Sequence, residues 1–286
     1  MTCDISAHAV CWQRLVYEDT RLVSCLVTEV DLVTSVAILP GHFKAFQSVV
    51  MDGPCLCRHD LQSVYVKTTV AGLWVPDLQY ERLVWFDPKD LAAVCRLRWS
   101  STRSQVIKYY LWEQGGVRRL KYQYQAQEDS VRLSKTSVYV FPHESGAQCS
   151  IISEPTLILY LVSSPKFMGS EQVKTLCVFG KKRLHRITIT RNTIPNRGKD
   201  VSHIDNQCRV VVADGGSACP AADTLYHIGT DDDYDTGEER FSLLGLEDHI
   251  SIYVDSASGI PVMISGCSRK AGKVELRLKS ALLTRQ

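Results

Sequence analysis

The sequence holds no apolar run near the roughly 18 residues that a helix needs to cross a membrane. It also lacks an excess of either charge. The formal net charge is +2, which argues against nucleic acid or an acidic membrane as the main partner. There is no Gly-x-Ser-x-Gly nucleophile elbow, and the eight histidines lie far apart in the chain. No catalytic residue and no cofactor is therefore expected. A secretion signal needs an apolar core of about 7–15 residues, and Asp4, His8, Gln13, Arg14, Glu18 and Asp19 interrupt every candidate. Leu22-Val23-Ser24-Cys25 has the form of a lipoprotein cleavage box. Charges occupy the place of its apolar core, so lipidation at Cys25 is not expected.

Cysteine is plentiful, with eleven in the chain. The number is odd and the spacing scattered, which fits neither a disulfide framework nor paired zinc ligands. Cys95 and Cys177 stand inside apolar runs and read as small buried hydrophobes. Cysteine usage thus leans towards a reducing compartment. Cys55-x-Cys57-x-His59 places three soft ligands on one face of a strand, but structural zinc needs a second pair, so no metal is expected. Asp231-Asp232-Asp233-Tyr234-Asp235 fails the calcium-loop pattern, because Thr236 and Ser242 stand where Gly and Glu are needed. It reads as a solvated acidic loop.

The chain alternates in period two through most of its length, with turn signals every eight to twelve residues. Strands are expected within Leu22–Leu39 and at Ala45–Val50, Ser63–Val70, Tyr80–Phe86, Leu91–Arg98, Ser104–Trp112, Val117–Gln125 and Val131–Val140. Further strands follow at Gln172–Phe179, Leu184–Arg191 and Cys208–Ala213. Pro195–Lys199 and Gly215–Asp223 read as loops. One short helix is expected at Thr156–Val162, capped by Ser153 and with Pro155 in its first turn. Ile250–Leu283 closes the chain as a three-stranded meander. The fold class is all-β: one antiparallel, strongly curved sheet or incomplete barrel. It forms a single domain over 1–286, with N-terminal strands in 1–72 and the main sheet in 73–286.

The hairpin from Trp85 to Val94 resembles that from Tyr253 to Val262. Each has an aromatic two residues before an Asp (Asp87, Asp255) and a valine seven after it. An Asp at a turn start accepts hydrogen bonds from the turn backbone, so both read as turn formers rather than acids or bases. An aromatic or apolar strand, Asp, a short turn and an Ile-Pro-Val strand resemble bacterial cell-envelope β proteins built as open curved sheets. The lipoprotein carriers LolA and LolB have that general shape. A helix-like segment at Glu154–Leu161, the Val178–Ile189 hairpin (VFGKKRLHRITI) and the terminal meander are similar to a bacterial envelope domain of unknown function, over about residues 75–286.

The resemblance implies export to the periplasm or envelope, whereas the N-terminus and cysteine usage imply the cytoplasm. It also implies a non-enzymatic protein whose concave face binds a lipid, another apolar small molecule or a protein partner. The alternative is a cytosolic interaction module with a packed interior. Candidate groove positions are Tyr80, Trp85, Val94, Trp99, Ile252, Val254, Val262 and Ile264. Lys181, Lys182, Arg183 and Arg186 form the densest basic cluster, suited to an anionic head group.

Overall fold

In the computed structural model all residues are described except 1–9, 20–23, 34–38, 52–59, 73–74, 104, 126–129, 142–148, 150, 165–166, 168, 195–208, 212–221, 231–239, 270 and 284–286. The Cys55–His59 cluster, the 231–235 acidic run, the Pro195–Lys199 loop and most of the Gly215–Asp223 loop lie outside the described residues.

Two meanders meet at one seam. The first runs β1 (Trp12–Asp19), β2 (Ser24–Val33), β3 (Gln62–Gly72), β4 (Val75–Phe86), β5 (Ala93–Ser100), β6 (Val106–Glu113), β7 (Gly116–Gln125) and β8 (Ser130–Val140). Each strand pairs antiparallel with the next. The second contains β10 (Val173–Phe179), β11 (Leu184–Thr193), β13 (Thr224–Thr230), β14 (Asp248–Asp255), β15 (Ile260–Ser268) and β16 (Gly272–Leu283). The two-residue β9 (Ile152–Ser153) and the short β12 (Arg209–Val211) add parallel pairings on β10 and β16. β1 pairs with β16, so the whole is one 16-stranded sheet that begins at β8, ends at β9 and does not close. The all-β, curved and incomplete barrel expected from the sequence is the observed architecture.

The two Asp-containing turns match in detail. In each, the carbonyl of the Asp accepts the N–H of the residue four on: Leu91 at 2.8 Å and Gly259 at 2.7 Å. Both closing residues have positive φ, 64° for Leu91 and 67° for Gly259. The Asp87 carboxylate accepts the Lys89 N–H at 2.9 Å, and Asp255 accepts that of Ser258 at 3.2 Å. These are the roles expected of Asp87 and Asp255.

Three local expectations change. Ala45–Val50 is helical rather than a strand: a 3₁₀ segment at Gly41–Phe46 runs into α1 (Gln47–Met51). Its Phe43, Phe46 and Val50 recur every three or four residues and cover the outer face of β3–β6, burying Leu83, Trp85, Leu97 and Tyr109. The helix expected after Pro155 is α2 (Leu157–Ser163), but Ser153 does not cap it; Ser153 belongs to β9. The N-cap is Thr156, with no side-chain cap bond, and Glu154 just before it accepts the Thr156 N–H through Oε2 at 2.6 Å. Finally, Cys177 is not a free buried thiol. It forms a disulfide with Cys149, and Cys95 is disulfide-bonded as well.

Seven residues cannot hold a helix in water, and α2 is apolar on every side. Its stability comes from its surroundings. All seven of its residues are buried in the main core against the inner face of the sheet. Trp12 Nε1 donates to Ser163 Oγ at 3.0 Å, and Tyr160 Oη donates to Gln62 at 3.1 Å, which fixes both the depth and the rotation of α2. The β14–β15 turn then seats on its C-terminal end, with no room for a Cβ at Gly259, which would lie 2.5 Å from the Ser163 carbonyl oxygen.

Gly115 also has positive φ, but open space surrounds the position a Cβ would take. Gly115→Ala is therefore expected to cost about 1 kcal/mol, the backbone penalty alone. Gly259→Ala adds a collision and should cost more than about 2 kcal/mol. Denaturant midpoints of the two variants check this ordering.

Candidate functional site

The inner face of the first meander is written by alternate residues of β4–β8. Val84 and Phe86 point there, into the main core, whereas Leu83 and Trp85 face the outer layer. The sequence places Arg82 two residues before Val84, hence on the inner face. Cross-strand register then extends the row. Arg82 stands opposite Arg98, Arg98 opposite Lys108, Lys108 opposite Lys121, and Lys121 opposite Lys135. Five cations thus form one ladder across five strands, about 19 Å long at the usual strand spacing. The adjacent row holds Arg96, Tyr110, Arg119 and Ser137.

Only the closed end of this strip is neutralised. Glu154, fully buried at the foot of α2, accepts from Arg82 Nη1 at 2.9 Å and from Arg96 Nη1 at 3.1 Å. Arg82 Nη1 also reaches Thr156 Oγ1 at 2.6 Å. Arg96, itself buried, donates through Nη2 to the Gly180 carbonyl at 2.6 Å and through Nη1 to that of Phe179 at 3.2 Å. Its guanidinium lies 4.1 Å from the Tyr110 ring centroid. A single side chain from β5 therefore holds the end of β10 and the start of α2.

Burial alone would raise the Glu154 carboxyl. The charges of Arg82 and Arg96, with hydrogen bonds from Thr156, outweigh it and hold the group below its ordinary value. Removal from water pushes Arg82 down to about 10, against the pull of Glu154, and pushes Arg96 down in the same way.

The open end has no such compensation. Among the described residues, no carboxylate pairs with Arg98, Lys108, Lys121 or Lys135. Lys108 is pushed below the usual lysine value by partial burial and by Arg98, Arg103 and Arg119. For the Tyr110 phenol, burial would raise the value, but Arg98, Arg96, Lys108 and Arg119 together lower it. Both shifts report one positive field. Like charges directly opposite on adjacent strands destabilise a sheet, so the chain carries this ladder at a cost.

Aromatic residues wall the junction beside the ladder. Alternation sends Val178 into the main core and Phe179 to the opposite face of β10. There Phe179 packs on Tyr110, Val117, Trp112 and Tyr139 from the inner face of β6–β8, and on Phe141 beyond them. The two ends of the open sheet meet here through side chains. The Cys149–Cys177 disulfide ties β10 to the segment before β9 at the same junction.

The expected groove residues separate into two layers. Ile252, Val254, Val262 and Ile264 lie on the inner face within the core that contains α2. Trp85, Trp99 and Val94 belong to the outer layer under α1. Tyr80 is exposed, near the ladder at the position opposite Ser100. Lys181, Lys182 and Arg186 are exposed and Arg183 is half-buried, at a turn that begins beside the Gly180 carbonyl held by Arg96.

A second polar cluster lies on the outer face. Glu81 is buried there, accepting the His42 N–H at 2.9 Å and Gln79 Nε2 at 2.9 Å, with His42 Nδ1 at 2.8 Å. The His42 ring stacks on Trp99 at 3.6 Å. Each of these groups holds the covering segment to the sheet. Neither cluster has a local signature in the sequence, because its members come from separate elements.

No protein-family model matches the chain, and no curated protein matches it. Among solved structures the chain is similar to a crystal structure from Brucella abortus described as a beta-barrel-like protein of domain of unknown function DUF1849. The two share 12% identity over 96% of this chain and 99% of that one, with a TM-score of 0.39. The likeness is to an uncharacterised β domain.

Two variants probe the strip. Glu154→Gln leaves buried Arg96 and half-buried Arg82 without a counter-charge and is expected to cost about 3–5 kcal/mol in denaturant unfolding. Because the folded value of Glu154 lies below its unfolded 4.5, its contribution is complete above that pH and is lost as pH falls through the folded value. Acid unfolding of Glu154→Gln should accordingly lack part of the wild-type pH dependence. In contrast, Lys108→Thr removes a repulsion and is expected to raise stability by up to about 1 kcal/mol. A lower melting temperature for Lys108→Thr would contradict the ladder's cost.

Proposed function

We propose that this chain is a non-enzymatic β scaffold that binds an acidic protein partner on the concave face of β4–β8. The observation that carries the reading is the ladder Arg98–Lys108–Lys121–Lys135, uncompensated among the described residues on a curved face. Carboxylates of a partner would relieve the repulsion, and positive potential on a concave surface speeds the approach of such a partner. A lipid or other apolar ligand finds less support, since α2 already lies against Ile252, Val254, Val262 and Ile264. Nucleic acid is also less suited. Of the aromatic residues near the ladder, Tyr110 and Trp112 pack on Phe179 and Tyr80 is exposed, whereas single-stranded binders offer a run of open rings for base stacking.

A place in the bacterial cell envelope goes with this reading. The sequence resemblance to envelope β domains supports it, and so does the Cys149–Cys177 disulfide, since such bonds persist in oxidising compartments.

Binding of a short polyglutamate peptide to the intact chain tests the proposal. The wild type is expected to bind at low salt and to weaken as ionic strength shortens the Debye length below about 10 Å. Lys108→Glu with Lys121→Glu should weaken binding at least about tenfold, whereas Lys273→Glu on β16 should leave it unchanged. Equal binding by the ladder variant, or tighter binding of single-stranded DNA than of polyglutamate, would sink it.

A further inference from the structure

The ladder ends at Lys135 on β8, and β8 is the last strand of the sheet, with no neighbour beyond it among the described residues. An edge strand of eleven residues presents a row of backbone donors and acceptors ready to pair with another strand. Cations and a bulge are common guards of such an edge, and β8 has both, in Arg132, Lys135 and the register shift beside Tyr122. The same cations leave its two faces with opposite chemistry.

The β7–β8 register has a bulge between Lys121 and Tyr122, which resets the alternation. Leu133 stands opposite Tyr122, which packs in the outer layer, and Val138 and Val140 fall on that same outer face. All three are exposed, at 47%, 61% and 78%. Arg132 and Lys135 are exposed on the inner face, beside Lys121. The strand has an apolar convex side and a cationic concave side, and β7 and β8 hold no acidic residue.

We infer that β8 is a β-augmentation site for an extended segment in which acidic and apolar residues alternate. Added as a further strand, such a segment turns its carboxylates to Arg132 and Lys135 and its apolar side chains to Leu133, Val138 and Val140. Backbone hydrogen bonds supply affinity, and the two faces supply specificity and register. A second copy of this chain is a poorer occupant, because pairing β8 with β8 brings cations against cations. This inference rests on the acidic-partner reading and adds to it the mode of attachment and the sequence pattern of the partner.

The test uses the intact chain and two capped peptides of the same composition. One alternates Asp and Val, and the other groups the Asp residues at one end. The alternating peptide is expected to bind at least about tenfold more tightly and to slow amide hydrogen exchange along β8. Thr136→Pro and Ser137→Pro remove backbone donors that point to opposite sides of the strand. The variant that keeps the wild-type melting temperature should lose the alternating peptide. Equal binding of both peptides, or unchanged exchange in β8, overturns the edge inference while leaving the concave acidic site standing. Failure of both peptides and of polyglutamate overturns both. A dimer in light scattering that disappears in the folded proline variant gives the edge to a second copy, and overturns the inference.

Discussion

The salt-bridged cluster of Glu154 with Arg82 and Arg96 is the constraint on which the rest depends. An open sheet has no intrinsic reason to bring its ends together, and the paired ladders stop at β8 and β9. Arg96 supplies the reason. It takes the carbonyls of Phe179 and Gly180 at the end of β10 and the Glu154 carboxylate that precedes α2, from a strand near the opposite end of the sheet. A buried and a half-buried guanidinium against one carboxylate would be costly alone, since desolvation competes with attraction. The carbonyls of Phe179 and Gly180, the Thr156 groups and the Tyr110 ring share the charge. The polar cluster therefore specifies where the curl closes, while apolar burial drives it.

Closure divides the molecule into a packed half and a charged half. Around α2 the interior is filled by residues of β1–β4, β11 and β13–β16. Beyond the Phe179 wall, the inner face of β5–β8 trades apolar residues for Arg98, Lys108, Lys121 and Lys135. The acidic-partner site proposed above falls in this half, where the sheet gives up stability.

The strands were legible because alternation and turn chemistry are local. Asp87-Pro88 and Asp255 mark their turns through bonds to residues two to four along the chain, and the structure contains those bonds. β1 and β13 went unread. Trp12–Asp19 mixes exposed charges with buried aromatics across a register shift, and Thr224–Thr230 follows a loop with no clear boundary. Ala45–Val50 carried a strand-like composition, yet its apolar residues continue a three-to-four spacing that begins at Phe43. The ladder was unreadable for a different reason. Each cation is ordinary within its own strand, and only register brings the five into line. Cys177 shows the same limit, because its partner Cys149 is 28 residues away and no local spacing announces the pair.

The β1–β16 seam orders events during synthesis. Every ladder within β1–β8 joins consecutive strands, so this meander needs no later segment to pair, and by itself it has both β1 and β8 bare. Residues 154–163 must emerge before the curl has anything to close upon. β16 follows β15, and its segment Arg277–Leu283 covers the β1 edge. Until then the nascent chain carries two open edges, a state prone to joining its neighbours on a crowded polysome. Pairing β1 with β16 at the middle of the sheet thus retires one of the two edges that the first meander leaves open.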